Sequence, residues 1–184
     1  MDEKIEHVFP VAYIDYEYVK NLEDKAYLNL IVNFASQICI DTKRLCFYTI
    51  KNELSNCEKK LVEIVYERLP EVAVDLIEGV LKSDIAVFSP ALNQVLYVPA
   101  KTKVFLIEGK GVNVYPLISE GDKVSEDTKI FYVVTNKLEV RTVRAEVSGI
   151  AIYIGDVIES EEAPQKMLCI VVSEADVRRL PQCS

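Results

Sequence analysis

The chain has 184 residues, 50% of them apolar, and a formal net charge of −8 at pH 7. This composition supports a buried core, and the acidic balance argues against nucleic acid as a partner, because nucleic-acid binders usually carry clustered basic residues. No apolar stretch is long enough to span a bilayer, and the first residues do not form a secretory signal. We therefore expect a cytoplasmic protein without membrane contact.

The cysteines and the single histidine limit the chemistry that we expect. Five cysteines without a C-x-x-C pair argue against a disulfide framework, so we expect most of them to be small buried hydrophobes. A catalytic relay could be built only around His7, and one histidine excludes a histidine-rich metal site. We predict no metal site. The cysteines are Cys39, Cys46, Cys57, Cys169 and Cys183.

The first half of the chain, residues 1–100, is predicted as a small α+β domain. Residues 38–40 and 45–48 flank a polar break of hairpin length, which predicts two antiparallel strands. Ser55 and Glu58 form a capping box before an apolar stripe, which predicts a helix over residues 55–69. Apolar runs predict strands at residues 9–14 and 94–98, whereas residues 27–40 and 71–81 fit either a helix or a strand.

The second half, residues 101–184, is predicted as an all-β domain, because short β runs alternate with Gly, Asp and Asn. Gly121-Asp122 and Gly155-Asp156 occupy matching turns in two similar halves, which are expected to bury one shared apolar seam. The fold class predicted for the whole chain is therefore α+β. The predicted strands are residues 104–107, 112–118, 130–134, 138–143, 149–154 and 167–172.

These motifs resemble the biotinyl/lipoyl carrier domains, in which two such halves form a barrel-sandwich hybrid. In that family a Gly-Asp-x-Val turn precedes a strand, and the modified lysine stands at a tight turn that joins the halves. Here Gly121-Asp122 begins the matching turn and Asn136-Lys137 occupies the lysine tip at the family's interval. The resemblance implies that Lys137 is an exposed attachment site. It also implies turns at Gly121, Asp122, Gly149, Gly155 and Asp156.

The residues that flank Lys137 favour an unmodified lysine. Biotin ligases prefer methionines on both sides of their lysine, and lipoyl ligases favour a preceding acidic residue, whereas this chain has Asn136 and Leu138. A rigid, exposed turn still presents the amine to partners. We therefore expect no cofactor, with biotin or lipoyl on Lys137 as the alternative.

Across its length the chain also resembles an uncharacterised family of archaeal proteins that pair a small N-terminal domain with this hybrid fold. Three functions stay open. The favoured one is a non-catalytic interaction or assembly protein that binds a protein partner or forms a dimer through exposed strand edges. The alternatives are a biotin- or lipoyl-bearing carrier, and an enzyme or small-ligand binder with a site between its domains.

Overall fold

The computed structural model describes residues 7–51, 56–157, 159–160, 162 and 164–184. These residues divide into two compact units, each with its own dense set of internal contacts. Unit 1 takes the described residues of Met1–Val74, Lys82–Lys101 and Arg178–Ser184. Unit 2 takes those of Asp75–Leu81 and Thr102–Val177, so the end of the chain returns to unit 1.

The described elements are numbered in chain order. In the first half they are β1 (Val11–Asp15), α1 (Tyr16–Lys20), α2 (Lys25–Ile31), β2 (Val32–Asp41), β3 (Cys46–Thr49), β4 (Lys59–Ile64), a 3₁₀ turn (Tyr66–Arg68), α3 (Leu69–Ala73), β5 (Val74–Asp75), β6 (Val80–Leu81), β7 (Ile85–Ser89) and β8 (Gln94–Val98). In the second half they are β9 (Val104–Gly111), β10 (Asn113–Pro116), β11 (Lys123–Val124), β12 (Lys129–Val134), β13 (Val140–Arg144), β14 (Gly149–Asp156), β15 (Gln165–Val172), a 3₁₀ turn (Glu174–Asp176) and β16 (Arg178–Leu180).

The predicted α+β class is wrong, because the protein is mostly β. Strands make up 50% of the structure and helices 13%. The strands form a nearly closed seven-stranded barrel and a half-barrel. The described part of the N-terminal region contains no small helical domain, only short helices of five to seven residues. Among the described residues, no helix has the length and apolar composition that a membrane span requires.

The sheet of unit 1 curls until its two outer strands nearly meet. Its strand order is β16-β8-β7-β1-β4-β2-β3. The Phe47 amide donates to the Pro181 carbonyl at 3.0 Å, and the Cys183 amide donates to the Phe47 carbonyl at 2.8 Å. These two bonds join β3 to the segment that follows β16, so the C-terminal residues close the barrel around a core that includes Phe47 and Leu180.

Two disulfides overturn the prediction that the cysteines form no disulfide framework. Cys39 in β2 bonds Cys57, which precedes β4, and Cys46 in β3 bonds Cys183 near the C-terminus. The Cα atoms lie 5.8 Å and 5.0 Å apart, within the normal range for a disulfide. The sequence argument failed because it used count and spacing, whereas the fold brings distant cysteines together. Cys169 is free and buried, as expected for a small hydrophobe.

The predicted helix over residues 55–69 is also wrong. Ser55 lies outside the described residues, and Lys59–Ile64 forms β4 between β1 and β2. Pairing with β1 on one side and β2 on the other overrides its local helical spacing, because cross-strand hydrogen bonds satisfy the backbone that a helix would otherwise pair. The predicted hairpin at residues 38–48 is confirmed by the pairing of β2 with β3, and the strand at residues 94–98 is confirmed as β8.

Two sheets of unit 2 enclose one apolar core. The four-stranded sheet has the order β11-β14-β15-β9, and the three-stranded sheet has the order β10-β12-β13. The predicted β runs of this half are confirmed as strands. The core residues are Val114, Val124, Ile130, Phe131, Val133, Ala145, Ala151, Ile154, Met167, Cys169 and Val171. This packing fixes β12, which in turn positions the hairpin that it forms with β13.

Candidate functional site

The β12–β13 hairpin carries the candidate site. The two strands pair in antiparallel register, with Val134 opposite Val140 and Tyr132 opposite Thr142. At the end of the hairpin the Thr135 amide donates to the Glu139 carbonyl at 2.9 Å, and the Leu138 amide donates to the Thr135 carbonyl at 2.9 Å. These bonds hold the intervening residues in a compact turn.

Lys137 and Asn136 lie in this turn and are exposed to solvent. The Lys137 amine makes no hydrogen bond or ion pair with the described residues. Leu138 has a φ of 60°, a left-handed conformation that is unusual for a leucine, and its side chain is 79% exposed. The turn therefore presents an amine and an aliphatic side chain side by side.

The outer face of the three-stranded sheet continues this exposed surface. Tyr115 lies opposite Tyr132, and Tyr132 lies opposite Thr142, so the three side chains share one face. Tyr115 is 53% exposed and Val140 is 65% exposed. The hairpin and this face therefore expose several apolar and aromatic side chains to solvent.

Basic residues are concentrated on the hairpin. Arg141 lies 3.6 Å from Glu139, and both side chains are largely exposed. Arg144 is held at the base of β13, where its Nη1 donates to the Asp127 carbonyl at 2.9 Å. Lys137 and Arg141 are thus the two cations near the tip.

The predicted turn at Gly121-Asp122 lies in unit 2, directly before β11. Gly121 has a φ of 94°, a conformation that glycine adopts without steric cost. The Ser119 amide donates to Asp122 Oδ2 at 2.8 Å, and the Ala151 amide donates to the Asp122 carbonyl at 3.0 Å. This turn attaches the residues before β11 to β14.

Gly149, Gly155 and Asp156 lie within β14, so the turn-forming role expected for them needs correction. Glycine is needed at positions 149 and 155 because neighbouring atoms leave no room for a Cβ atom. A Cβ on Gly149 would lie 2.1 Å from the Val172 carbonyl oxygen, and one on Gly155 would lie 2.3 Å from the Tyr153 hydroxyl. Asp156 accepts a hydrogen bond from Gln165 Nε2 at 3.0 Å across the β14–β15 pair. None of the three contacts the hairpin tip in these interactions.

Comparison with known families adds one match. Residues 36–174 match the family described as "Uncharacterized protein conserved in archaea (DUF2118)". The chain belongs to this family. The expected membership of an archaeal family is therefore confirmed, whereas the likeness to carrier domains stays a prediction. Among curated proteins, none matches the sequence significantly. The matched range contains the whole β12–β13 hairpin, and Cys183 lies beyond it.

A buried charged group in unit 1 of this archaeal protein was missed by the sequence reasoning. Asp84 is 8% exposed, and its carboxylate accepts hydrogen bonds from Lys59 Nζ, from the Tyr97 hydroxyl at 3.0 Å and from the Ala100 amide at 2.7 Å. The only sequence signal is an aspartate that directly precedes the apolar run of β7.

The hydrogen bonds to Asp84 determine its charge. Burial raises the pKa of the Asp84 carboxyl, but the bonds from Lys59, Ala100 and Tyr97 outweigh it, so the pKa lies below its usual value. The hydrogen bond to Asp84 raises the pKa of Lys59, and burial raises the pKa of Tyr97. Because the buried carboxylate accepts three hydrogen bonds, we infer that the cluster stabilises unit 1.

Other reactive side chains are placed unfavourably for chemistry. Burial, with a smaller contribution from the charge of Glu120, raises the pKa of the Cys169 thiol to about 12, so the thiolate is scarce at neutral pH. His7 is exposed, and its ring makes an edge contact with Phe88 at 5.6 Å between centroids. Within the described ranges, no group of three or more His, Cys, Asp or Glu residues could hold a metal ion. The hairpin is thus the strongest candidate site.

Proposed function

We propose that this protein is a non-catalytic interaction or assembly protein that contacts a protein partner through the β12–β13 hairpin. The observation that carries the proposal is the exposure of Leu138 and Val140, at 79% and 65%, on a hydrogen-bonded hairpin. Ordered apolar side chains that project into water are typical of surfaces that another protein covers.

The composition of the surrounding surface supports the same proposal. Tyr115 and Tyr132 add broad side chains with polar tips, which are enriched at protein interfaces. Lys137 and Arg141 place two cations at the end of the hairpin, where charge steers an approaching acidic surface. Lys137 acts in this proposal as an unmodified contact residue.

Affinity capture from an extract of native archaeal cells tests the proposal. The wild-type chain is expected to retain a defined partner that the Leu138→Asn variant loses, because asparagine tolerates the left-handed turn but removes the apolar contact. Leu30→Gln is the matched control, since Leu30 is 80% exposed on α2. Equal retention by the two variants would contradict a role of the hairpin.

A carrier that bears biotin or lipoyl on Lys137 is the second candidate. It is favoured by one observation: the Lys137 amine is exposed in a compact turn, where a ligase and later an active site have access to it. Intact-mass measurement of the protein from native cells separates the candidates. An adduct that maps to Lys137 and is absent from the Lys137→Arg variant supports the carrier, and an unmodified mass supports the interaction protein.

A further inference from the structure

Residues 178–184, the part of unit 1 that follows unit 2 in the chain, have a small share in the core of the barrel. Their strand, β16, lies at the end of the sheet and pairs with β8 over only three residues. Of these seven described residues only Leu180 is buried, at 2% exposure, and it packs in the barrel core. Short strands at a sheet edge with few buried side chains are among the first parts of a protein to open.

Hydrogen bonds hold the residues that follow β16. The Phe47 amide donates to the Pro181 carbonyl at 3.0 Å, and the Phe47 carbonyl accepts from the Cys183 amide at 2.8 Å. Arg44 Nη2 donates to the main-chain oxygen of Ser184 at 3.1 Å, in an exposed position. Ordering one residue costs at least about as much free energy as one hydrogen bond contributes net. These bonds, the short strand and one buried leucine therefore do little more than offset the ordering of the segment.

The Cys46–Cys183 disulfide adds a covalent bond to this weakly held segment. Cys46 lies in β3, at the opposite end of the sheet from β16, so the disulfide joins the two sides of the barrel where it closes. Cys46 is buried, whereas Cys183 is partly exposed, so a reductant has access to the bond from the Cys183 side. Because the noncovalent contacts are nearly balanced by the cost of ordering, the disulfide decides whether the segment stays in place.

The Cys39–Cys57 disulfide has a different structural setting. Cys57 precedes β4, a strand of six residues that pairs with β1 on one side and with β2 on the other. Cys39 lies opposite Lys60 in the β2–β4 pair, and Leu61, the next residue of β4, is fully buried. Strand pairing on both sides holds β4, so reduction of this disulfide leaves the strand in the barrel.

We propose that the Cys46–Cys183 disulfide is a redox latch, whose reduction by a dithiol releases residues 178–184 from the barrel while the other strands stay folded. One thiolate of the dithiol attacks Cys183 Sγ and forms a mixed disulfide, and Cys46 leaves as a thiolate that takes up a proton. The second thiol of the dithiol then displaces Cys183, which is protonated in turn. The dithiol is thereby oxidised to a disulfide, and its two electrons reduce the two cysteines.

Release of the segment changes the surface of the barrel. Leu180 leaves the core cluster that it shares with Phe47 and Val95, so these two side chains border an opening between β3 and β8. The edge of β8 that β16 occupied is uncovered at the same time. The barrel is therefore closed in oxidising surroundings and open in reducing ones.

Hydrogen exchange of the full chain, followed by NMR before and after treatment with dithiothreitol, tests the latch. In the oxidised chain the Phe47 and Cys183 amides are expected to be protected, because each donates to a backbone carbonyl. After reduction both amides should lose their protection, whereas the amides of β4 and β12 should keep theirs. Replacement of the dithiol by glutathione disulfide should restore the protection of Phe47 and Cys183, since a latch must also close.

Two double variants separate the effects of the two disulfides. Cys46→Ser/Cys183→Ser is expected to lack protection at the Phe47 amide with or without dithiothreitol. Cys39→Ser/Cys57→Ser, the matched control, should respond to dithiothreitol as the wild type does. Continued protection of the Phe47 amide in the reduced wild type would overturn the proposal. Loss of protection throughout unit 1 would overturn it too, because the bond would then hold the whole barrel together. The reduced wild type decides between these results even if a serine variant does not fold.

Discussion

Cys46 and Cys183 are joined by a disulfide although 137 positions separate them in the chain. The bond lies where β3 meets the C-terminal segment, beside the two hydrogen bonds that Phe47 makes to Pro181 and Cys183. The sequence around either cysteine does not predict that the two are paired. The end of the chain therefore completes a barrel whose other strands all lie within residues 11–98.

The disulfide between Cys46 and Cys183 should stabilise the protein more than the one between Cys39 and Cys57. Cross-linking restricts the unfolded chain more when the closed loop is longer, and the sequence separations are 137 and 18. We expect Cys183→Ser to lower the free energy of unfolding by about 3–5 kcal/mol and Cys57→Ser by about 2–3 kcal/mol. Urea unfolding followed by circular dichroism measures both.

Thiol counting is the control for that comparison. The unreduced, denatured protein should show one reactive thiol, from Cys169, and the reduced protein should show all five cysteines. Alkylation during lysis of native cells would show whether the bonds form there, which matters because disulfides are rare in a reducing cytosol outside hyperthermophiles. Equal destabilisation by the two serine variants would contradict the larger contribution expected from the Cys46–Cys183 disulfide.

The Asp84 cluster predicts a dependence of stability on pH. The pKa of Asp84 lies below its usual value in the folded state, so the charged carboxylate contributes stability above about pH 4, the ordinary aspartate value. This contribution is lost as the pH falls through the lowered pKa, because the carboxyl is then protonated in both the folded and the unfolded state.

Replacement of the carboxylate tests this assignment. Asp84→Asn should lower the free energy of unfolding at pH 7 by about 2–3 kcal/mol, since the amide keeps one acceptor oxygen where the carboxylate has two, and it has no charge to pair with Lys59. The difference from the wild type should shrink in unfolding curves measured below about pH 4. Glu58→Gln, at an exposed pair with Lys43, should change stability by less than about 0.5 kcal/mol. A difference that persists unchanged into acid would argue against a charged Asp84.

Close backbone approach at Gly149 gives a further prediction. Gly149→Ala places a methyl group 2.1 Å from the Val172 carbonyl oxygen, so β14 and β15 must separate locally. We expect a loss of about 2–4 kcal/mol in the free energy of unfolding. Gly79→Ala is the comparison, because its nearest neighbour is 4.0 Å away and only its φ of 66° disfavours alanine. Thermal unfolding should show Gly79→Ala as the milder variant, and the reverse order would contradict the packing at Gly149.

The strands of unit 2 were predictable because turn-forming residues lie at their ends. Glycine and aspartate mark the turn at Gly121-Asp122, and Asn136-Lys137 separates two apolar runs that pair as β12 and β13. The position of the candidate site on the hairpin could thus be read from local sequence. The position of β13 at the end of its sheet could not, because it depends on which strands lie beside it.

The errors in unit 1 came from contacts between distant residues. Leu61, Ile64 and Val65 have helical spacing, but pairing with β1 and β2 makes Lys59–Ile64 a strand. Likewise, Asp84 finds Lys59 and Tyr97 only after three strands have assembled. A local pattern contains none of these partners, so the barrel itself was not predictable from it.

The central claim, that the β12–β13 hairpin is the surface a partner covers, is tested most directly by hydrogen exchange. The Thr135 amide bonds the Glu139 carbonyl, so Val140 and Thr142 occupy non-bonded positions of the β12–β13 pair and their amides point away from β12. They should exchange quickly in the dilute purified chain. In the complex captured from native cells, both amides should become protected while those of β8 do not change. Rapid exchange at Val140 and Thr142 in every complex, with protection elsewhere, would contradict the claim.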